Sequence, residues 1–200
     1  HGQITTFTYD LEGNLQSVTD ATGATTTFTY DISGNILSQT DDQGRTTTFE
    51  YNSLNQLIKV IDPSGQATSY TYDLNGNRAS QTDANGNPTD YEYNSKGQLT
   101  AVRDALGHIT AYAYGETGCP SCGGGGGEPL TSITDAKGQS TTYHYDHSGR
   151  LIGERDPLGE GISYTYDAKG NLTSKTDANG ATINYTYDAL GRLIKKSYPD

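Results

Sequence analysis

A period of 21 residues runs through the chain and constrains it more than any other feature. Counted on the second aromatic of each Tyr-x-Tyr or Phe-x-Tyr, it falls at Tyr9, Tyr30, Tyr51, Tyr72, Tyr93 and Tyr114, each 21 after the last. After one interruption it resumes at Tyr145, Tyr166 and Tyr187. Another aromatic stands two residues before each: Phe7, Phe28, Phe49, Tyr70, Tyr91, Tyr112, Tyr143, Tyr164 and Tyr185. Self-similarity at this spacing calls for a tandem array of one small unit, stacked on its neighbours, rather than a globule of unlike elements.

Each repeat carries two turn signals of the form Asp-x-x-Gly. One follows the Tyr: Asp10 to Gly13, Asp31 to Gly34, Asp73 to Gly76, Asp146 to Gly149, Asp167 to Gly170 and Asp188 to Gly191. The other lies half a repeat on, as at Asp20 to Gly23, Asp41 to Gly44 and Asp177 to Gly180. Asn replaces Asp at Asn52 and Asn94, and Asn55 stands where a Gly is due. Asp or Asn at turn position i accepts a bond from the backbone N–H two residues on, and Gly at the end takes the left-handed conformation that closes the turn. Pro63 and Pro157 directly follow their Asp, where a fixed φ suits a type I turn. The stretches between turns, such as residues 14–19 and 24–30, alternate and are rich in Thr, Tyr and Val. They read as strands roughly 20–23 Å long. The expected fold is therefore all-β: a curved antiparallel meander of about nine tandem hairpins, with a sheet edge on the order of 85 Å.

An odd period creates a parity problem. Side chains alternate faces along a strand, so a 21-residue repeat swaps faces each time unless one residue per repeat is absorbed. The expectation is a β-bulge or longer turn near each Thr-Asp-x-x-Gly corner, which also bends the sheet. Tyr9 then faces Leu15, which faces Tyr30, which faces Ile36. The row runs on through Tyr51, Leu57, Tyr72, Tyr93, Leu99, Leu151, Tyr166, Leu172, Tyr187 and Leu193, with Arg78 breaking the Leu pattern. Such cross-strand pairs have to hold the sheet, because hydrophobic residues are only 32%, with no Trp, no Met and three Phe. Sixteen Tyr and abundant Thr nonetheless separate the chain from disordered sequences. A net charge of −11 disfavours nucleic acid and anionic membranes as partners. No stretch approaches the ~20 apolar residues of a membrane span.

The interruption divides the chain into YD repeats at 1–114, an insertion at 115–129 and further repeats at 130–200. Leu130 to Asp135 matches Leu15 to Asp20, so the extra residues lie within one hairpin loop and strand register is expected to survive on both sides. That loop holds Cys119 and Cys122 followed by five Gly, from Gly123 to Gly127. In an exported protein the favoured reading of this Cys-x-x-Cys is a local disulfide. A zinc half-site lacks a second ligand pair, and a redox motif lacks a thioredoxin-like context. An intermolecular disulfide or a cargo contact stays open. Asp73-x-Asn75-Gly76-Asn77 and Asp83-x-Asn85-Gly86-Asn87 faintly resemble calcium loops, but the distal Glu is missing and the same letters make a good turn. His144 and His147 flank a turn without an obvious metal partner. No nucleophile elbow, catalytic triad or cofactor motif stands out, so the chain reads as structural rather than enzymatic.

The repeated Tyr-x-Tyr-Asp-x-x-Gly-[Asn/Arg]-Leu, clear from Tyr164 to Leu172 and from Tyr185 to Leu193, resembles the YD-repeat or Rhs family. The resemblance covers essentially the whole chain. It implies a long β-sheet coiled as a spiral into a hollow shell, as in Rhs toxins and insecticidal toxin complexes, where the shell encloses a C-terminal toxin. Teneurins and wall-associated proteins carry similar repeats. Gly2 aligns with the turn glycines and no capping element is visible, so flanking repeats of the same polypeptide are expected. The resulting expectation is a secreted or cell-surface structural segment, with a toxin cargo, a cell-surface glycan or copies of itself as partners. An adhesion or carbohydrate-binding module and a self-assembling extracellular fibre are the competing readings.

Overall fold

The computed structural model describes residues 4–115 and 128–199. It contains two compact units, His1–Tyr91 and Glu92–Asp200. Among the described residues there are eighteen strands and no helix. The first unit runs β1 (Thr6–Tyr9), β2 (Leu15–Thr19), β3 (Thr25–Tyr30), β4 (Ile36–Thr40), β5 (Thr46–Tyr51), β6 (Leu57–Ile61), β7 (Ala67–Tyr72) and β8 (Arg78–Thr82). β9 (Pro88–Tyr93) holds the division between the units. The second unit continues with β10 (Leu99–Arg103), β11 (Ile109–Tyr114), β12 (Leu130–Thr134), β13 (Ser140–Tyr145), β14 (Leu151–Arg155), β15 (Gly161–Tyr166), β16 (Leu172–Thr176), β17 (Thr182–Tyr187) and β18 (Leu193–Ser197).

Within each unit the strands pair antiparallel with their neighbours in the chain, giving an open hairpin meander. The strands are mostly five and six residues long, one shorter than the sequence implied. The reason lies in the turns. Asn14 and Ala24 close them, their carbonyls accepting the N–H of Asp10 and Asp20, so they do not belong to the ladder. Gly13 sits at φ +90°, as this turn requires, and its N–H donates to Asp10 O at 3.2 Å. Asn55 does the same job at φ 60°, a region that Asn tolerates better than most residues.

The parity problem is solved by a bulge, at the other corner from the one expected. Both turns join partners six residues apart, Tyr9 with Leu15 and Thr19 with Thr25. The odd residue must therefore lie inside a strand. Thr8 faces Ser17, yet Tyr9 faces Leu15, and Gln16 is left over beside the Tyr-Asp corner. Leu37, Ile58, Ala79, Thr131, Ile152, Thr173 and Ile194 occupy the same place. Each bulge puts Leu15 and Ser17, or their equivalents, on opposite faces although they are two residues apart.

The result is a sheet with two unlike faces. One carries the aromatic pairs with Val18, Ile36, Val60 and Leu57. The other is lined with hydroxyls that bond in cross-strand pairs: Thr8 with Ser17, Thr19 with Thr25, Thr29 with Ser38, Thr40 with Thr46, Thr71 with Ser80 and Thr176 with Thr182. No described side chain is fully buried. Stability rests on ladder bonds and cross-strand pairs, as a single layer demands.

Candidate functional site

No compact pocket of chemical groups distinguishes this molecule, and its repeated motif residues take defined structural positions. The turn carboxylates come first. Asp20 Oδ1 accepts the N–H of Thr22 at 2.7 Å, two residues on, and also the N–H of Ala24 at 3.1 Å. The second bond, to the residue after the Gly, was not foreseen from sequence. That residue can contribute its side chain as well: Asn14, Asn35, Asn77 and Asn171 donate to the other oxygen of Asp10, Asp31, Asp73 and Asp167, and on the opposite edge Arg45 and Asn87 donate to that of Asp41 and Asp83. Arg150 and Arg192 do so to Asp146 and Asp188 at 2.6 and 2.7 Å. The Asn or Arg of the repeated motif was the available signal. These bonds hold the carboxyls below the usual carboxylate range: the side chain of Asn14 dominates for Asp10, and the backbone N–H of Arg150 for Asp146.

The two edges of the sheet differ. Successive Tyr-Asp turns touch one another. Asn35 Nδ2 donates to Asn55 Oδ1 at 2.9 Å, an Arg150 guanidinium N–H to Asp167 O at 3.1 Å, and Lys169 Nζ to Ala189 O at 3.0 Å. A methyl added at Gly34 or Gly76 would lie 3.6 or 3.4 Å from a side chain of the preceding turn. Added at Gly23, Gly44, Gly65 or Gly86, on the other edge, it would meet open space.

In three repeats the second aromatic uses the hydroxyl that a Phe would lack. Tyr30, Tyr72 and Tyr166 donate their hydroxyls to the carbonyls of Leu15, Leu57 and Leu151 at 2.7, 2.7 and 2.8 Å. Those leucines flank the bulges, and the ladder to the next strand stops two residues short of them, at Ser17–Thr27, Lys59–Ser69 and Gly153–Ser163. The phenol thus takes up a carbonyl that the ladder leaves behind. Leu15 contacts Tyr30 by this bond rather than as a ladder partner. Burial raises the phenol pKa of Tyr51, Tyr145 and Tyr166. Arg78, the exception in the Leu row, lies 4.8 Å from the Tyr70 ring centre, so a cation on a π face replaces aliphatic contact. Arg150 covers Tyr166 in the same way at 4.9 Å.

The faint calcium loop is a turn: both oxygens of Asp83 are engaged by Asn85 N–H, Asn87 N–H and Asn87 Nδ2. Among the described residues no three His, Cys, Asp or Glu gather as a metal site. Cys119 and Cys122 lie outside the described residues. On the flanks of their loop, Tyr114 pairs with Leu130 and Gly115 N–H donates to Pro129 O, so the hairpin register continues across the insertion. No helix among the described residues is long and apolar enough to cross a membrane.

Comparison with known proteins gives consistent matches. The teneurin YD-shell model matches residues 1–119, and the RHS repeat model matches residues 127–160 and 166–200. No curated protein sequence matches the chain. Among solved structures, the crystal structure of TcdB2-TccC3-Cdc42 is 19% identical with a TM-score of 0.68, covering 99% of this chain and 14% of that one. A Tc holotoxin pore from Photorhabdus luminescens is 19% identical over 97% of this chain and 15% of its own, with a TM-score of 0.38. The chain thus spans about a seventh of the first of these structures, and the likeness to it is one of fold.

Proposed function

The chain belongs to the teneurin YD-shell family, and from that premise we propose that it is a stretch of wall in an extracellular β-sheet shell that encloses a toxin polypeptide. The observation that carries this reading is the single layer of sheet within each unit. No described side chain is fully buried, and no described polar or charged group is buried. A sheet built this way separates two spaces instead of enclosing a core of its own. Its regular repeat lets a wall grow by adding hairpins. The chain's role is structural. Its carboxylates and hydroxyls are spent on turns and cross-strand pairs, which leaves little for acid–base work. A sugar-stacking platform is less favoured, because the rings of Tyr70, Tyr164, Tyr166 and Tyr185 have Arg or Lys head groups over them.

Cryo-electron microscopy of the full-length parent protein tests the proposal. A closed hollow particle with this segment in its wall and density inside supports it. A long polymer with the segment repeated along its length would replace it with the fibre reading.

A further inference from the structure

Asn is followed by Gly three times in the chain, at Asn75-Gly76, Asn85-Gly86 and Asn179-Gly180. All three pairs fall at the same place, the last two residues of an Asp-x-x-Gly turn, and all three Asn are exposed. The pairing has a chemistry of its own, because Gly puts no side chain in the way of its backbone nitrogen. That nitrogen can attack the carbonyl carbon of the Asn side chain. For Asn179, a bond forms between Gly180 N and Asn179 Cγ and the bond from Cγ to Nδ2 breaks. Nδ2 leaves as ammonia, carrying the proton that Gly180 N gives up. Water then opens the resulting ring at either of its carbonyls. One product is an ordinary aspartyl residue, and the other is an isoaspartyl linkage in which the main chain runs through Cβ and Cγ. Water is the sole co-reactant, and nothing is oxidised or reduced.

The folded turn restrains this reaction by committing the Gly N–H elsewhere. Gly76, Gly86 and Gly180 donate to the carbonyls of Asp73, Asp83 and Asp177 at 3.1, 3.0 and 3.0 Å. The turn must open locally before the nitrogen can reach Cγ, and the three turns are held unequally. Around Asp73, Asn75 N–H and Asn77 N–H hold one carboxylate oxygen and Asn77 Nδ2 holds the other. Gly76 also lies close to the preceding turn, where an added methyl would sit 3.4 Å from Gln56 Nε2. Asp83 receives the same three bonds from Asn85 and Asn87, but Gly86 has open space around it. Asp177 receives backbone bonds from Asn179 and Ala181 and no third bond of this kind, because the Ala181 side chain has no donor. Gly180 too has open space around it. We propose that Asn179 is a site of spontaneous deamidation in the folded chain, reacting ahead of Asn85 and then Asn75. The isoaspartyl product lengthens the main chain inside a turn that joins Thr176 to Thr182, and so loosens the β16–β17 hairpin. The aspartyl product keeps the turn, since Glu12 occupies the same place after Asp10.

Ageing the chain at neutral pH and body temperature, with peptide mass spectrometry at intervals, tests this. Labelling by a methyltransferase specific for isoaspartyl groups marks the second product. In the folded chain, conversion at Asn179 should outpace that at Asn75 by about tenfold or more. In guanidinium chloride, with the turns unfolded, the three sites should convert at similar rates. Ala181→Asn gives Asp177 the third bond and should slow Asn179 by about two- to tenfold, whereas Asn87→Ala takes it from Asp83 and should speed Asn85 by a similar factor. Circular dichroism verifies that both variants keep their strands. Three outcomes overturn the proposal: an Asn179 that stays intact in the folded chain while it converts in guanidinium, equal rates at the three sites in the folded chain, or variants that shift neither rate. The shell reading stands apart from all of them and is decided by imaging of the parent.

Discussion

Removing a single oxygen from Tyr166 isolates one structural bond of the repeat. In Tyr166→Phe the ring, its packing beneath Arg150 and its pairing with Leu172 are all retained, and only the 2.8 Å bond to Leu151 O is lost. A net hydrogen bond contributes about 0.5–1.5 kcal/mol. The carbonyl sits past the end of the ladder in a half-buried place, where water can partly replace the phenol, so a loss of about 1 kcal/mol is expected. Tyr30→Phe and Tyr72→Phe remove the equivalent bonds to Leu15 and Leu57. The three sites lie in different hairpins, so the triple variant should lose about 3 kcal/mol by near-additivity. Tyr164→Phe is the internal control, because its ring lies 6.0 Å from Lys175 Nζ and the contact needs no hydroxyl. Urea unfolding followed by circular dichroism measures the five variants against the parent chain. Equal losses in Tyr166→Phe and Tyr164→Phe, or a triple variant no weaker than a single one, would refute the reasoning that the hydroxyl closes the bulge.

Further outcomes follow from the same geometry. Gly161→Ala should destabilise more than a usual surface change, by over about 1 kcal/mol, since the new methyl would overlap the Glu154 carbonyl oxygen; a thermal melt reads this directly. Arg150→Lys should cost about 0.5–1.5 kcal/mol, because Lys cannot hold Asp146, Asp167 O and the Tyr166 face together; a urea titration checks it. Acid should weaken the fold: folding lowers the pKa of Asp10, Asp20, Asp31, Asp73 and Asp167 from 3.8, so the unfolded chain binds more protons there. The stability these groups contribute is therefore complete above pH about 4 and is lost as pH falls through their folded values. Melting temperatures measured from neutral pH downward should be flat until that range and then fall.

Much of this was legible in the sequence because the chain repeats its own evidence. Nine tyrosines in phase, with Asp and Gly at fixed offsets, fixed the hairpins, the turn closure and the need for one absorbed residue per repeat. The location of that residue was not legible. Thr-Asp and Tyr-Asp corners look alike as turns and both span six residues between partners. The difference lies in the phenol that reaches the Leu15-type carbonyl, a contact 15 residues away in sequence. The partner of the second oxygen of Asp10 and Asp146 was missed for a related reason. Asn14 and Arg150 differ chemically, and only their shared position after the Gly reveals a shared partner. Arg78 looked like a break in the Leu row, yet it covers Tyr70 and keeps the ring packed.

The most direct test of the account is solution NMR with methyl-labelled Leu and Thr and observable Tyr rings. The bulge places Tyr166 opposite Leu172 and its hydroxyl at Leu151 O. The account predicts ring-to-methyl contacts from Tyr166 to both leucines. It also predicts that the Thr165 methyl shares its face with Ser174, bonded to it at 2.7 Å. Contacts from the Tyr166 ring to Thr173 in place of Leu172 would mean an unbulged register, and the two-faced sheet would be wrong.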